Sequence, residues 1–258
     1  MYKFVLKLQD EKLTNAGVLS ANVKDKISEF KNQKDAPYLL ISGFDFKPPQ
    51  SGYSKANKLS EDILYQIADL LGKPHSNQHH QNKNIIHDLY PKKSDTTKQL
   101  GTNAEDFLFW HTENAHEIEP PKYVALACIR GDAAADTLIA NISDFPFDKL
   151  DSKRLSQEVT ISSDESFVEY SSHTSPTLLQ NECPVYRFDP LYTKSSDHET
   201  DELLKRMSKY FSENNVRINL ESGDIVIINN HICCHSRTEF TPQYKGQDRW
   251  IQRIMISS

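Results

Sequence analysis

The chain is 258 residues long, with 30 Lys and Arg against 36 Asp and Glu and a formal net charge of -6. That balance leaves no basic footprint for nucleic acid and no polybasic anchor for a membrane, so a small soluble ligand is the default partner. No run of 18 apolar residues occurs and the N-terminus lacks an apolar core of signal-peptide length, so the sequence reads as a cytoplasmic protein whose 4 cysteines are reduced, buried and inert.

One domain over 1–258 suits this length, with 12 Phe, 11 Tyr and 2 Trp to fill a core. Met1 to Lys12 alternates like a strand. Ser20 can cap a helix running to about Asn32, with Val23, Ile27 and Phe30 on one face. Ala36 to Ser42 reads as a buried strand closed by Gly43, and Asp45 to Asn57, with Pro48-Pro49 and Gly52, as a loop. Ser60 starts a second helix, striped by Ile63, Leu64, Ile67, Leu70 and Leu71 and ended by Gly72. The helices at about 20–72 are expected to pack on a core at about 84–258. Between them, Lys73 to Asn84 sets His75, His79 and His80 among Asn and Gln; the spacing fits no fixed metal site, and the tract reads as a candidate lid. Ile85 to Tyr90 is a short strand broken by Pro91, and Lys92 to Lys98 is a loop.

Phe107 to Glu113, Phe-Leu-Phe-Trp-His-Thr-Glu, is the most informative stretch. On a strand, residues two apart share a face, so His111 and Glu113 would converge on one point. A divalent metal suits both, and one more histidine would complete the facial triad of non-heme Fe(II) sites. Alone, a His-x-Glu pair is common; the rest of the chain changes its meaning. Tyr123 to Ile129 is apolar enough for a strand buried on both faces, followed by Thr137 to Ile142. A helix is expected near Phe147 to Arg154, with short strands around Gln157 to Ile161 and Phe167 to Tyr170. Val185 to Phe188 should be a strand leading into Asp189-Pro190. His198 to Asn214 is a clear amphipathic helix with Leu203, Leu204, Met207, Tyr210 and Phe211 on one side.

At the C-terminal end, Ser222-Gly223-Asp224 turns into the strand Ile225 to Ile228, and a second strand carries Cys233, Cys234 and His235. Consecutive strand residues point to opposite faces, so at most one of these cysteines shares the side of His235, which argues against a thiolate zinc site. Arg249 stands fourteen residues past His235 and Arg253 four beyond that, both in an alternating strand to Ile256. A guanidinium beside a metal suits a dicarboxylate co-substrate, because its fork pairs with a carboxylate bidentately. His116 reads as a loop residue, and Trp110 and Trp250 as packing in a barrel wall.

His111-Thr112-Glu113, Tyr123 to Cys128, Asp136 to Ala140, and Gly223-Asp224 through His235, Arg249 and Arg253 together resemble the clavaminate synthase branch of the Fe(II)/2-oxoglutarate oxygenases. Within it the sequence is most similar to the β-hydroxylases of free asparagine and arginine, over roughly residues 60–258. The resemblance implies a mainly β fold with flanking helices, built on a distorted double-stranded β-helix, or jelly roll. It implies that His111, Glu113 and His235 hold Fe(II), that Arg249 with Thr137 grips the distal carboxylate of 2-oxoglutarate, and that Arg253 receives the α-carboxylate of the substrate. Asp189 falls where these hydroxylases contact the side chain of the amino acid. Leu191 stands where the arginine enzymes carry a second acid, which leaves an amide or amine head group open. Gln81, near the segment that binds the α-amino group in relatives, and Asn103 complete the substrate-site expectations.

The implied reaction consumes O2 and 2-oxoglutarate, releases succinate and CO2, and hydroxylates a polar L-amino acid, free or carrier-bound, at the β-carbon. Glu113 argues against halogenation, which needs a small residue there, and for hydroxylation or, less often, desaturation. The other reading is a non-catalytic jelly-roll module that retains a metal site. Arg249 speaks against it, because metal binding alone needs no carboxylate clamp.

Overall fold

Ser20 accepts the backbone N–H of Val23 and so caps the first helix, α1 (Ala21–Asn32), which buries Val23, Ile27 and Phe30 as its spacing requires. The computed structural model describes residues 5–7, 14–15, 17–53, 58–75, 84–95, 100–163, 172–179 and 184–258. Its other helices are α2 (Lys58–Leu71), α3 (Lys149–Leu155) and α4 (His198–Glu213). The first strands are β1 (Val5–Lys7), β2 (Thr14–Asn15), β3 (Val18–Leu19), β4 (Tyr38–Ser42), β5 (Lys73–Pro74), β6 (Ile86–Leu89), β7 (Leu108–His111), β8 (Tyr123–Arg130) and β9 (Asp136–Asn141). Then come β10 (Glu158–Ser162), β11 (Ser172–Pro176), β12 (Leu178–Leu179), β13 (Val185–Tyr186), β14 (Thr193–Lys194), β15 (Val216–Asn219), β16 (Ile225–Asn229), β17 (Cys233–Arg237) and β18 (Trp250–Ser257).

Two sheets carry the architecture. The larger runs β1-β4-β16-β8-β18-β5, with β6 also paired to β18, and the smaller runs β15-β9-β17-β7. Apart from the parallel β1 and β4, their pairings are antiparallel.

Strand alternation sorts the side chains into layers. Ile225 and Ile227 of β16 join Ile27, Phe30, Ile63, Leu64 and Ile67 of α1 and α2 in one core on the outer face of the larger sheet. Val226 and Ile228 point the other way and meet Leu126, Cys128, Ile139, Ile218 and Cys233 between the two sheets. On the outer face of the smaller sheet, Trp110, Leu138, Ala140 and Cys234 pack on Leu203, Leu204, Met207 and Phe211 of α4. Two facing antiparallel sheets flanked by helices form the expected jelly roll. Each fully buried Ile or Leu in these layers contributes about 2 kcal/mol of apolar transfer energy, and truncation to alanine would cost about 2–5 kcal/mol.

Several boundaries differ from the sequence reading. α2 starts at Lys58 rather than Ser60, whose hydroxyl donates instead to Gln252 Oε1 at 2.5 Å and ties the helix to β18. β13 stops at Tyr186 because the next backbone groups are bonded elsewhere: Arg187 N–H donates to Thr177 O at 2.7 Å, and Phe188 O accepts from Thr112 N–H at 2.7 Å. β9 ends at Asn141, whose side chain caps a 3₁₀ turn (Ile142–Asp144) by accepting from Ser143 N–H. β7 ends at His111, before Glu113. β11 and β15 had no sequence signal. The candidate lid, apart from its flanks, lies outside the described residues, as do Gln81, His79, His80, Cys183 and the strand expected at Phe167 to Tyr170.

The Ser222-Gly223-Asp224 turn needs its glycine. Gly223 has φ +96 and a Cβ there would meet Phe44 O at 2.1 Å, while its own carbonyl accepts from Gly43 N–H and Phe44 N–H at 3.2 and 3.0 Å.

Candidate metal centre

His111 and His235 are cross-strand partners of β7 and β17, so their rings lie side by side with centroids 4.4 Å apart and planes at 52°. Their neighbours fix the direction. Trp110 and Cys234 belong to the outer core against α4, so His111 and His235 face the space between the sheets, on the same side as Cys233.

Glu113 reaches the same point by another route than strand alternation. It lies past the end of β7, where Asn230 grips its backbone on both sides: Glu113 N–H donates to Asn230 Oδ1 at 2.7 Å, and Asn230 Nδ2 donates to Glu113 O at 3.1 Å and Pro121 O at 2.8 Å. Asn114 follows with φ 52, and Glu117 N–H closes the turn onto Asn114 O at 3.0 Å. Arg187, 2% exposed, fastens the next stretch by donating to the carbonyls of Ala115, Glu117 and Ile118. As a result one ligand atom each from His111, Glu113 and His235 lie within 4.8 Å of one another, with His235 Nε2 3.8 Å from Glu113 Oε2.

The donor chemistry fits Fe(II). His111 Nδ1 is 2.8 Å from Phe109 O, which can only accept, so Nδ1 carries the proton and Nε2 keeps its lone pair in the neutral ring. Burial, reinforced by His111 and opposed by Glu113, brings the pKa of His235 down to about 3, so the His235 ring is neutral at physiological pH. Its Nδ1 is buried without a hydrogen-bond partner among the described residues. Two neutral imidazoles and one carboxylate on one side of a point form the set that leaves positions open for further ligands.

Two arginines belong to β18 and the residue just before it. Arg253, on the inner face of β18, places Nη1 2.7 Å from Glu113 Oε1 and Nη2 3.1 Å from His87 Nδ1. Arg249 just precedes β18 and is buried; its Nη2 donates to Thr137 Oγ1 at 3.3 Å, and burial pushes its pKa down. No ion pair reaches Arg249 among the described residues. Arg237, the register partner of Thr137, is also buried, and burial followed by repulsion from Arg249 lowers its pKa to about 10. Two desolvated guanidinium groups without a carboxylate are costly unless an anion joins them.

The residue before Asp189 is held by a two-way clamp. Thr112, between His111 and Glu113, donates its N–H to Phe188 O at 2.7 Å and accepts Phe188 N–H on Oγ1 at 3.0 Å, so Asp189 follows a residue locked to the ligand loop. Leu191 nearby is 48% exposed. Asn103 is buried in the turn before β7, donating to Asp106 Oδ2 at 2.9 Å and accepting from Glu105 N–H at 3.1 Å. His116 is buried in the turn after Glu113.

The structure thus brings together His111, Glu113, His235 and Arg253, and pairs Arg249 with Thr137. Asn230, Arg187 and His87 were not anticipated. Only the Asn229-Asn230 pair between two apolar strands gave a signal, and asparagine there also reads as ordinary turn chemistry.

Residues 149–255 match the family described as "Taurine catabolism dioxygenase TauD, TfdA family". Among relatives, enduracididine beta-hydroxylase of Streptomyces hygroscopicus is 27% identical over 97% of this chain and 85% of its own length. Clavaminate synthase 2 of Streptomyces clavuligerus is 29% identical over 67% of this chain and 56% of its own length. Among solved structures, the non-heme iron oxygenase OrfP in complex with Fe and alpha-ketoglutaric acid superposes with a TM-score of 0.80 and 25% identity, covering 93% of this chain and 81% of that one.

Proposed function

We infer that this chain is an Fe(II)/2-oxoglutarate-dependent dioxygenase of the TauD/TfdA family, in its clavaminate synthase-like branch, and that it hydroxylates a polar L-amino acid. The observation that carries this reading is the convergence of His111, Glu113 and His235, with Arg253 on Glu113, in a fold that also buries Arg249, a cation with no acidic partner among the described residues. His111, Glu113 and His235 hold the iron. When bound, Fe(II) with 2-oxoglutarate and O2 supplies the oxidation: the co-substrate loses CO2 to become succinate and the substrate C–H becomes C–OH.

The chain's own residues bind, aim and shield. Arg249, steadied by Thr137 Oγ1, receives the distal carboxylate of 2-oxoglutarate, and the buried field of Arg237 adds to the attraction. Arg253, on the inner face beside Glu113, takes the α-carboxylate of the amino acid, and Asp189 faces its side chain. Gln81 and Asn103 are the remaining substrate-side candidates. The apolar layer of Val226, Ile228, Ile139 and Ile251 between the sheets keeps water from one side of the site.

A carboxylate clamp at Arg253 favours the free amino acid, because a carrier-bound substrate would present an uncharged thioester carbonyl instead. The relative named as a beta-hydroxylase supports oxidation at the β-carbon. Three buried thiols, Cys128, Cys233 and Cys234, suit a reducing cytoplasm; among the described residues no helix is long and apolar enough to cross a membrane.

Anaerobic addition of Fe(II) and 2-oxoglutarate should give a visible charge-transfer band that His111→Ala abolishes. Screening the twenty amino acids for stimulation of succinate formation should then find the substrate. If no band forms with the intact protein, the oxygenase reading fails and a metal-binding module is left.

A further inference from the structure

We propose that His87 is the positioning residue that aims Arg253 at the carboxylate of the amino acid. The inference rests on the reading of Arg253 as the substrate clamp and extends it to a strand whose role was not evident. His87 and Arg253 are register partners of β6 and β18, so their side chains share the inner face. Arg253 Nη2 lies 3.1 Å from His87 Nδ1, and His87 Nε2 lies 2.7 Å from Asn84 O. A guanidinium only donates and a carbonyl only accepts, so a single neutral tautomer, with the proton on Nε2, satisfies both contacts. Burial and the neighbouring Arg253 bring the pKa of His87 to about 4, which keeps that tautomer at neutral pH.

The back of β6 is anchored separately. Asp88 points to the outer face, where its Oδ1 accepts from Trp250 Nε1 at 2.8 Å and Gln252 Nε2 at 3.1 Å, while Gln252 also receives the Ser60 hydroxyl of α2. His87 therefore stands on a strand that cannot drift from β18. With Nη1 on Glu113 and Nη2 on His87, both arms of the Arg253 fork are set before a substrate arrives, so less side-chain freedom is lost on binding.

The test compares His87→Leu, which keeps bulk but offers no acceptor, with His87→Gln, whose amide oxygen can accept from Arg253. The probe is the amino acid that most stimulates succinate formation. Calorimetry under anaerobic conditions, with Fe(II) and 2-oxoglutarate present, should show its binding weakened about tenfold in His87→Leu and largely restored in His87→Gln. The KM for that amino acid should rise in parallel, with the KM for 2-oxoglutarate and the charge-transfer band unchanged. Should His87→Leu not fold, His87→Ala carries the same comparison. Unchanged amino-acid binding in the variant without an acceptor, or an equal loss for 2-oxoglutarate, would overturn the proposal. Arg253→Ala separates the two levels: if it weakens amino-acid binding and His87→Leu does not, only the role of His87 is lost. If Arg253→Ala binds the amino acid normally, or no amino acid stimulates succinate formation, the underlying reading falls and this proposal with it.

Discussion

Replacing Asn230 with alanine would remove three hydrogen bonds from a residue that is 1% exposed. The buried N–H of Glu113 would lose its acceptor, and the carbonyls of Glu113 and Pro121 would each lose a donor. An orphaned buried donor costs about 1–3 kcal/mol and the two carbonyls add a smaller amount, so the total is about 2–4 kcal/mol. For a chain of this length that corresponds to a fall in Tm of about 5–15 °C. The effect on the metal should be separable, because Glu113 lies past the end of β7 and has no strand to hold it. Loosening a group that orients a ligand typically weakens metal affinity by about 10–100-fold. Asn230→Asp should be worse than alanine at neutral pH, since its carboxylate would face two carbonyl oxygens. Thermal unfolding of the metal-free protein by circular dichroism gives the first quantity, and anaerobic calorimetric titration with Fe(II) gives the second. A Tm within about 2 °C of the parent together with metal affinity within about twofold would refute the idea that Asn230 places Glu113.

Acid should destabilise the metal-free protein in a defined window. His235 and His87 have folded pKa values of about 3 and about 4, against 6.5 for an unperturbed histidine. Above pH 6.5 neither the folded nor the unfolded chain is protonated at these rings and their contribution is fully present; as pH falls from 6.5 toward 4, the unfolded chain binds protons that the fold refuses, and stability is lost. Tm should therefore decline between pH 6.5 and 4.5, less steeply in His87→Gln; a flat profile in the parent protein contradicts this account. Thr137→Val removes the acceptor for Arg249 Nη2 and should raise the KM for 2-oxoglutarate about three- to tenfold with that for the amino acid unchanged. Initial rates with each substrate varied would show it, and an equal rise in both would count against a role confined to the co-substrate.

Much of the fold could be read because periodicity and burial agree. The 3.6-residue stripe of α4 and the unbroken apolar run of β8 each match one way of packing, so few alternatives compete. β15 and β11 gave no such signal: Val-Arg-Ile-Asn is a four-residue edge strand, and Ser-His-Thr-Ser-Pro has no apolar face. The three metal-ligand candidates were legible because imidazole and carboxylate side chains at strand ends are chemically distinctive. Their geometry was only half legible, since the alternation assumed for Glu113 stops at His111 and the side chain is brought in by a turn. Asn230 and His87 could not be read, because what makes them matter are bonds to residues 117 and 166 positions away, which register decides and local sequence does not encode. Arg187 was hidden for a related reason: its partners are backbone carbonyls, which every residue possesses.

The imidazoles of His111 and His235 come from the smaller sheet, whereas Arg253 comes from the larger one and Arg249 from the residue just before its strand β18. An ion and a dicarboxylate held between them would act as a rivet through two plates that otherwise meet across an apolar layer and a few polar contacts such as that of Arg249 with Thr137. Loading the site should therefore damp breathing between the plates, slowing amide exchange in β17 and β18 together while leaving the outer helices as they were.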